Sequence, residues 1–325
     1  MQNIDEVVKA DGTLDDQKIW RREPVYQGMN GQWVERIYIA PGQSYIFKPL
    51  TNGESADREA WVYRNVLAEL PEITAPMLLA ASPEGSGAKS WAIFENLGPL
   101  DHVYRLVYAQ AAAKQLARLH AAPAEQWPGL LAQGPKPGIA AIAADVLKRR
   151  EEASAVLSGR GLPDQWLDSA VVSAVRDGRG FTAQRQVLSH GDLHQGNYAV
   201  TEAGRVVLLD WEHAHRSLPY WDLYHLIDMS HPRFPKRMSA EDRMHLLETY
   251  LTEADKQGTP WVKDVMIREY AWFAAIFSIW MLLLIEGDLH RGGGVWTTEG
   301  LLRQREETLD GLDGCLELLE NMGSI

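Results

Sequence analysis

Two short stretches of the sequence indicate the fold most clearly: SHGDLHQGN at residues 189–197 and LLDWE at residues 208–212. The first follows an apolar pair and carries two glycines, a pattern that predicts a strand running into a tight loop. The second ends a predicted hairpin strand in an acid. Three oxygen-bearing side chains, those of Asp192, Asn197 and Asp210, are therefore expected at strand ends. Such oxygens suit a hard cation like Mg²⁺.

The spacing within these stretches matches a known phosphoryl-transfer arrangement. Protein kinases carry a base Asp and a metal-binding Asn in H-R-D-x-x-x-x-N, and a second metal-binding Asp follows. Here His190, Asp192 and Asn197 keep that interval, with Gly191 in place of Arg. Asp210 stands where the second metal-binding Asp belongs.

The motif H-G-D-L-H-x-G-N followed by L-D-W-E resembles the aminoglycoside phosphotransferase and choline kinase family, as does the LARLH stretch at residues 116–120. The resemblance runs from about residue 30 to about residue 230. It implies an α+β, two-lobed protein-kinase-like fold, with a small antiparallel-sheet N-lobe and a larger, mainly helical C-lobe. It also implies an ATP- and Mg²⁺-dependent kinase that phosphorylates a substrate hydroxyl.

The resemblance also implies roles for individual residues. Asp192 is the catalytic base, and Asn197 and Asp210 hold Mg²⁺. Asp222 braces the catalytic loop, and His190 is a packed anchor of the same loop. Main-chain groups of Glu95 to Leu97 would contact the nucleobase of ATP, or of GTP in its place.

The first hundred residues offer an independent indication of a nucleotide site. Lys48 ends a predicted strand, as the phosphate-binding lysine of a kinase does. On the following predicted helix, Glu59 falls near the middle of the apolar face at 100° per residue. A glutamate in apolar packing needs a partner, and Lys48 supplies one. Residues 27–31 are the candidate phosphate-covering turn, and an ordinary hairpin turn is an equally good interpretation of them.

The pattern of elements predicts where the lobes divide. Residues 1–97 are predicted to form a strand-rich N-lobe that ends in a hinge at residues 95–99. Residues 98–325 read as a helical C-lobe that includes the catalytic segment 187–212. Helices are predicted at residues 57–70, 138–157, 164–176, 240–254, 261–286 and 299–321.

Composition limits the classes of partner. The formal charge of −12 disfavours nucleic-acid binding and favours a cationic partner. A single cysteine, Cys315, excludes an internal disulfide and indicates a reducing compartment. The polar start of the chain does not resemble a secretory signal, so a cytoplasmic protein is expected. The apolar run at residues 271–285 is shorter than a membrane span and predicts a core helix rather than a membrane segment.

The acceptor should be a small molecule, because only 11 residues separate Asp210 from Asp222 and leave no room for a long activation segment. An aminoglycoside or another amine-bearing antibiotic is the expected acceptor, and antibiotic resistance the expected role. The acidic residues that could line a pocket for it are Glu212, Asp228, Glu286 and Asp288; each could equally be a solvated surface charge or a helix cap. The chain is expected to act as a monomer or homodimer.

The sequence is also compatible with three other functions. A metabolic kinase of the same fold would phosphorylate choline, ethanolamine, homoserine, methylthioribose or an amino sugar. A metal-dependent hydrolase would use the histidines, six of which lie between His190 and His231, although no H-E-x-x-H motif is present. A degenerate, non-catalytic binding module would not need Lys48, Glu59 and the catalytic-loop residues.

Overall fold

The structure is a computed structural model that describes residues 4–28, 31–50, 56–158, 167, 181, 185–292 and 294–323. The chain divides into two compact units. The first comprises Met1–Asp101 together with Ala199–Ala214, and the second comprises His102–Tyr198 together with His215–Ile325.

A five-stranded antiparallel sheet forms most of the first unit. Its strands are β1 (Arg21–Gln27), β2 (Trp33–Ala40), β3 (Gln43–Pro49), β4 (Leu78–Ala81) and β5 (Trp91–Glu95), in the order β1-β2-β3-β5-β4. Helix α1 (Arg58–Asn65) and a short 3₁₀ turn (Leu67–Glu69) occupy the region predicted as one helix over residues 57–70. Alternate residues point to opposite faces of a strand. Phe47 is therefore turned into a core with Ile37, Trp91 and Ile93, while Lys48 faces the other way.

A hairpin from later in the chain also belongs to the first unit. Strand β6 (Leu100–Asp101) pairs antiparallel with β8 (Tyr198–Thr201), which is followed by β9 (Val206–Leu208). The sequence-based boundary at residue 97 assigned this hairpin to the second lobe. The pairing of Leu100 with Thr201 groups residues 199–214 with the first hundred instead.

The second unit is mainly helical. Its helices are α2 (Leu106–Ala121), α3 (Ile139–Lys148), α4 (Arg150–Ser158), α5 (Pro219–Ile227), α6 (Ala240–Lys256), α7 (Lys263–His290) and α8 (Thr298–Asn321). A small antiparallel pair, β7 (Val187–Ser189) with β10 (His215–Ser217), carries the catalytic segment. The single helix predicted over residues 138–157 is two helices, since the backbone leaves helical geometry at Arg149 (φ −99°, ψ 30°). The helix predicted at 164–176 lies outside the described residues, apart from residue 167.

The long apolar helix α7 is a core element of the second unit. It has 28 residues, and its length and composition alone would let it cross a membrane. However, 78% of its most apolar stretch is buried inside the protein, against α3, α5 and α8 among others. This is the packing of a core helix. The α+β fold, with a sheet unit and a helical unit, confirms the predicted fold class.

Candidate active site

Three of the predicted residues meet in the first unit. Lys48 Nζ lies 2.6 Å from Glu59 Oε2 and 2.7 Å from Asp210 Oδ1. Lys48 reaches this point from β3, Glu59 from the buried face of α1, and Asp210 from the end of the hairpin. The backbone N–H of Trp211 also donates to Glu59 Oε1 at 3.4 Å. One ammonium group is thus held between two carboxylates.

Charge and burial in this cluster support a permanently charged lysine. Burial opposes the charge of Lys48, but the carboxylates of Asp210 and Glu59 outweigh it and hold the pKa of Lys48 well above its usual value. Burial raises the pKa of Glu59, against the opposing charge of Lys48. Glu59 is 3% exposed, whereas the side chain of Asp210 is 28% exposed. Asp210 is therefore the member of the cluster with most access to a ligand.

Asp192 and Asn197 meet in the second unit, on the loop after β7. Asn197 Nδ2 donates to the carbonyl oxygen of Asp192 at 2.7 Å and to its Oδ2 at 3.2 Å. These bonds turn the amide nitrogen inward, which leaves the amide oxygen of Asn197 as the atom that could bind a cation. Gly191 has a φ of 89°, which favours glycine in this turn. Gly196 packs so closely on the ring of Phe234 that a Cβ atom would overlap it.

A buried brace from α5 fixes the catalytic loop. Asp222 accepts hydrogen bonds from the backbone N–H groups of His190 (2.8 Å) and Gly191 (2.9 Å). His120 Nε2 lies 3.1 Å from Asp222, and Trp221 Nε1 donates to the carbonyl oxygen of Gly191 at 2.9 Å. Burial alone would raise the pKa of Asp222, but the hydrogen bond and charge of His120 and the Gly191 N–H hold it well below its usual value. Asp222 is thus an ionised loop support.

Two residues that the sequence did not point to contact Asp192. Lys136 Nζ lies 3.5 Å from Asp192 Oδ1 and 3.0 Å from His225 Nε2, and His225 Nε2 lies 3.7 Å from Asp192 Oδ1. His225 Nδ1 is 2.7 Å from the carbonyl oxygen of Trp221. A carbonyl can only accept, so Nδ1 carries the proton and Nε2 accepts from Lys136. Lys136 sits in a Pro- and Gly-rich stretch, where composition predicts a loop but nothing about contacts.

The predicted nucleobase segment follows β5. The Glu95 carboxylate accepts from the backbone N–H of Met77 at 2.8 Å, and Asn96 Nδ2 donates to Ser44 Oγ at 2.8 Å. Among the described residues, none bonds the main-chain N–H or C=O of Leu97. The candidate phosphate-covering turn at 27–31 closes with a bond from Gly31 N–H to Gly28 O, while its residues 29 and 30 lie outside the described set.

The four acids predicted for a cationic acceptor all have cationic or histidine neighbours. Asp228 is buried against Arg243 at 2.7 Å, Asp288 pairs with Arg291 at 2.6 Å, and Glu286 pairs with Arg305. Glu212 is 8% exposed and lies 3.5 Å from His213 Nε2. Glu286 also lines an open groove of about 640 Å³. Glu286 lies on α7 nine residues after Phe277, a distance of about 14 Å along the helix axis. Phe277 is the residue of α7 that packs on Trp221, next to the catalytic loop.

The predicted metal-binding residues carry the type of oxygen atom that magnesium prefers. Within the described ranges, no three His, Cys, Asp or Glu side chains are grouped so as to hold a metal on their own. Mg²⁺ does not require such a group, because it is usually bound through one or two carboxylates plus substrate phosphates. Asp210 in the first unit and Asn197 in the second unit each have an oxygen atom of this kind.

A kinase-like fold with a lysine, a glutamate and an aspartate in this arrangement is typical of phosphotransferases. Comparison with known proteins agrees: a model of the phosphotransferase enzyme family (APH) matches residues 40–264. The chain belongs to this family. No curated protein sequence matches it significantly.

Solved structures with the same fold act on different acceptors. A choline kinase from Cryptosporidium parvum Iowa II has a TM-score of 0.57 at 17% identity, covering 98% of this chain and 95% of its own. An aminoglycoside phosphotransferase from Alicyclobacillus acidocaldarius gives 0.58 at 14%, covering 95% and 94%. A macrolide 2'-phosphotransferase from Brachybacterium faecium gives 0.51 at 16%, covering 92% and 93%. At these identities the likeness shows the fold alone.

Proposed function

We propose that this protein transfers the γ-phosphoryl group of ATP to a hydroxyl group of a small molecule, with Mg²⁺ as the metal. The observation that carries the proposal is the Lys48 ammonium held by Glu59 and Asp210. This arrangement of a strand lysine, a helix glutamate and a metal-binding aspartate serves phosphoryl transfer in kinases.

Each residue then has a chemical role. Lys48 binds phosphate oxygens, and Glu59 keeps it in position. Asp192 accepts the proton of the acceptor hydroxyl as that oxygen attacks phosphorus. Asp210 and the amide oxygen of Asn197 would hold Mg²⁺, which when bound neutralises phosphate charge. Little covalent chemistry falls to the protein, so positioning and electrostatics supply the rate enhancement.

The segment between Asp210 and Asp222 supports a small acceptor rather than a protein. It is filled by a 3₁₀ turn at Trp211–His213, by β10 and by the start of α5 at Pro219. No residues are left over for a long peptide-binding segment. Main-chain groups near Leu97 would contact the nucleobase, and GTP could serve in place of ATP on the same contacts.

The test is a coupled ADP-release assay over a panel of acceptors, run with and without Mg²⁺. The panel holds aminoglycosides, other amine antibiotics, choline-like amines, amino sugars and hydroxy acids. Asp192→Asn should lower turnover by roughly 10²–10⁴-fold, the usual contribution of a general base. The exposed α6 residue Asp255 provides a matched control, Asp255→Asn, which should leave turnover unchanged. Full activity of Asp192→Asn would contradict the proposal.

An aminoglycoside acceptor and a resistance role remain predictions. The negative charge of the chain favours a cationic acceptor, whereas the ion pairs of Asp228, Glu286 and Asp288 do not offer it free carboxylates. Protection of a sensitive host from an antibiotic would separate resistance from metabolism.

A further inference from the structure

We propose that the acceptor of this reaction carries a carboxylate, or a similar small anion, that binds Arg216 and Lys136 in a cavity of the second unit. The inference rests on the proposed kinase function and names the class of its acceptor. The net negative charge of the chain favours a cationic acceptor, whereas this inference names an anionic one.

The cavity has a volume of about 210 Å³ and is lined with cationic and neutral groups. Its lining residues include two cationic residues, Arg216 and Lys136, two glutamines, Gln133 and Gln186, and two aromatic residues, Trp221 and Phe273. No aspartate or glutamate of the described chain lines it. A cavity with two cations and no acid favours an anion over an ammonium group.

Arg216 is the cationic residue of this cavity whose side chain has no partner among the described residues. It lies on β10 opposite Leu188, and its backbone N–H donates to the carbonyl oxygen of Leu131. Its guanidinium makes no hydrogen bond or ion pair with any part of the chain that the structure describes, and its Nε is buried. Guanidinium groups bind carboxylates through two parallel N–H bonds, so a carboxylate would satisfy this group.

Lys136 connects the cavity to the proposed base. It is one of the residues that line the cavity, and its Nζ lies 3.5 Å from Asp192 Oδ1. That separation is long for an ion pair, and the neutral Nε2 of His225 is the closer neighbour at 3.0 Å. Trp221 makes a second connection, since it also lines the cavity and its Nε1 donates to the carbonyl oxygen of Gly191 in the catalytic loop. An anion bound at Arg216 and Lys136 therefore lies next to the loop that carries Asp192.

The size of the cavity limits the acceptor. Sites for drug-sized ligands have volumes of about 300–1,000 Å³, so about 210 Å³ suits a smaller molecule. A hydroxy acid of a few carbons meets all three conditions: a carboxylate for Arg216, a short apolar chain for Trp221 and Phe273, and a hydroxyl for Asp192.

The test pairs each anionic acceptor with an uncharged counterpart: glycerate with glycerol, gluconate with glucitol, and L-homoserine with 1,4-butanediol. We expect turnover of at least one acid, with kcat/KM at least tenfold above that of its counterpart. Arg216→Gln should raise the KM of that acid at least tenfold while leaving the KM of ATP unchanged, and Arg216→Lys should restore part of the loss. Arg291→Gln, an exposed change in the larger groove, is the matched control and should change neither value.

A binding measurement separates this inference from the kinase proposal. Thermal shift and calorimetry of the Asp192→Asn protein with the same acids and with sulfate should show binding that Arg216→Gln removes. Such binding without turnover of any acceptor would support the anion site and contradict the kinase function. Turnover of aminoglycosides or choline, unaffected by Arg216→Gln, would support the kinase function and overturn the anion site. Absence of any acid or sulfate binding at millimolar concentration would also overturn it.

Discussion

Asp210 combines a functional side chain with an unusual backbone. Its φ of 64° and ψ of 70° lie in the left-handed region, which costs a residue with a Cβ atom about 1–2 kcal/mol. The residue ends the hairpin strand, and this conformation accompanies the contact of its carboxylate with Lys48 at 2.7 Å. Strained conformations of this kind are concentrated at functional sites.

A pair of substitutions at Asp210 separates backbone strain from side-chain function. Asp210→Ala and Asp210→Gly both remove the carboxylate, so both should lose Mg²⁺-dependent turnover. Only glycine relieves the strain, so the glycine variant should be more stable than the alanine variant by up to about 1 kcal/mol, as measured by urea unfolding.

The same pair at an ordinary helical position gives the control. Glu248 is exposed on α6, where Glu248→Gly should be less stable than Glu248→Ala by about 1 kcal/mol. An equal or reversed order at Asp210 would contradict the strain argument.

The sequence predicted those site residues whose positions follow a recognisable spacing along the chain. Asp192 and Asn197 are five residues apart on one loop, and the periods of strand and helix pointed to Lys48 and Glu59. No spacing pattern indicated Lys136, because it lies in an irregular loop and contacts Asp192 across 56 residues of sequence. The sequence did not indicate Arg216 either, because only three-dimensional packing shows that its guanidinium has no partner within the described part of the chain.

At the level of elements, helix α5 positions the catalytic loop. Asp222, on its first turn, binds two successive backbone N–H groups of the loop, and His120 from α2 holds Asp222 in turn. In the sequence, the LARLH stretch indicates the family only by resemblance. In the structure, its last residue, His120, keeps Asp222 of α5 ionised and oriented.

Asp222→Asn should therefore disturb catalysis through the loop. An amide presents N–H groups to one of the two loop N–H donors, so the loop should shift and kcat should fall roughly 10²-fold. Stability should fall by about 1–3 kcal/mol at neutral pH, as expected for a lost charged hydrogen bond. Steady-state kinetics should show the loss in kcat with the KM of ATP little changed.

Because the Asp222 pKa is depressed in the folded state, its stabilisation should be present above the unfolded-state pKa of about 4 and lost as pH falls below it. A variant with unchanged kcat would show that the brace is not needed for the loop.

At the level of the whole molecule, a buried ion pair connects four helices of the second unit. Asp228 follows α5 and Arg243 lies on α6; Tyr270 on α7 donates to Asp228, and Arg243 bonds the carbonyl oxygen of Gly311 on α8. The side chains of Asp228 and Arg243 are 0% and 1% exposed. The sequence suggested Asp228 as a substrate acid; the structure gives it a role in packing these helices.

Removing one partner of this pair should leave the other buried and unpaired. Asp228→Ala and Arg243→Met should each lower the free energy of unfolding by about 3–5 kcal/mol. The double variant should lose clearly less than the sum, because neither charge is then unpaired. A double-mutant cycle by urea denaturation measures this coupling, and additive losses would contradict it.

The buried His225 makes stability depend on pH. Burial and the neighbouring Lys136 lower its pKa from 6.5 to about 3. Between these values the unfolded state binds a proton at His225 and the folded state does not. The free energy of unfolding should therefore fall as pH decreases below 6.5, by about 1.4 kcal/mol per pH unit from this group.

Urea unfolding from pH 4.5 to 7.5 measures that slope. His225→Gln removes the titrating group, so its slope should be smaller by one proton. His290→Gln, at an exposed histidine near the end of α7, is the matched control substitution. Parallel curves for the unsubstituted and His225→Gln proteins would show that another group causes the dependence.

The carboxylate of Asp210 beside Lys48 has a consequence for how metal and nucleotide influence each other's binding. Asp210 in this structure serves Lys48 as a counter-ion, and the proposed function asks the same carboxylate to bind Mg²⁺. Nucleotide phosphates that bind Lys48 would release Asp210 for the metal, and metal binding would release Lys48 for the phosphates. Metal and nucleotide should then be thermodynamically coupled, each strengthening the binding of the other by the same factor.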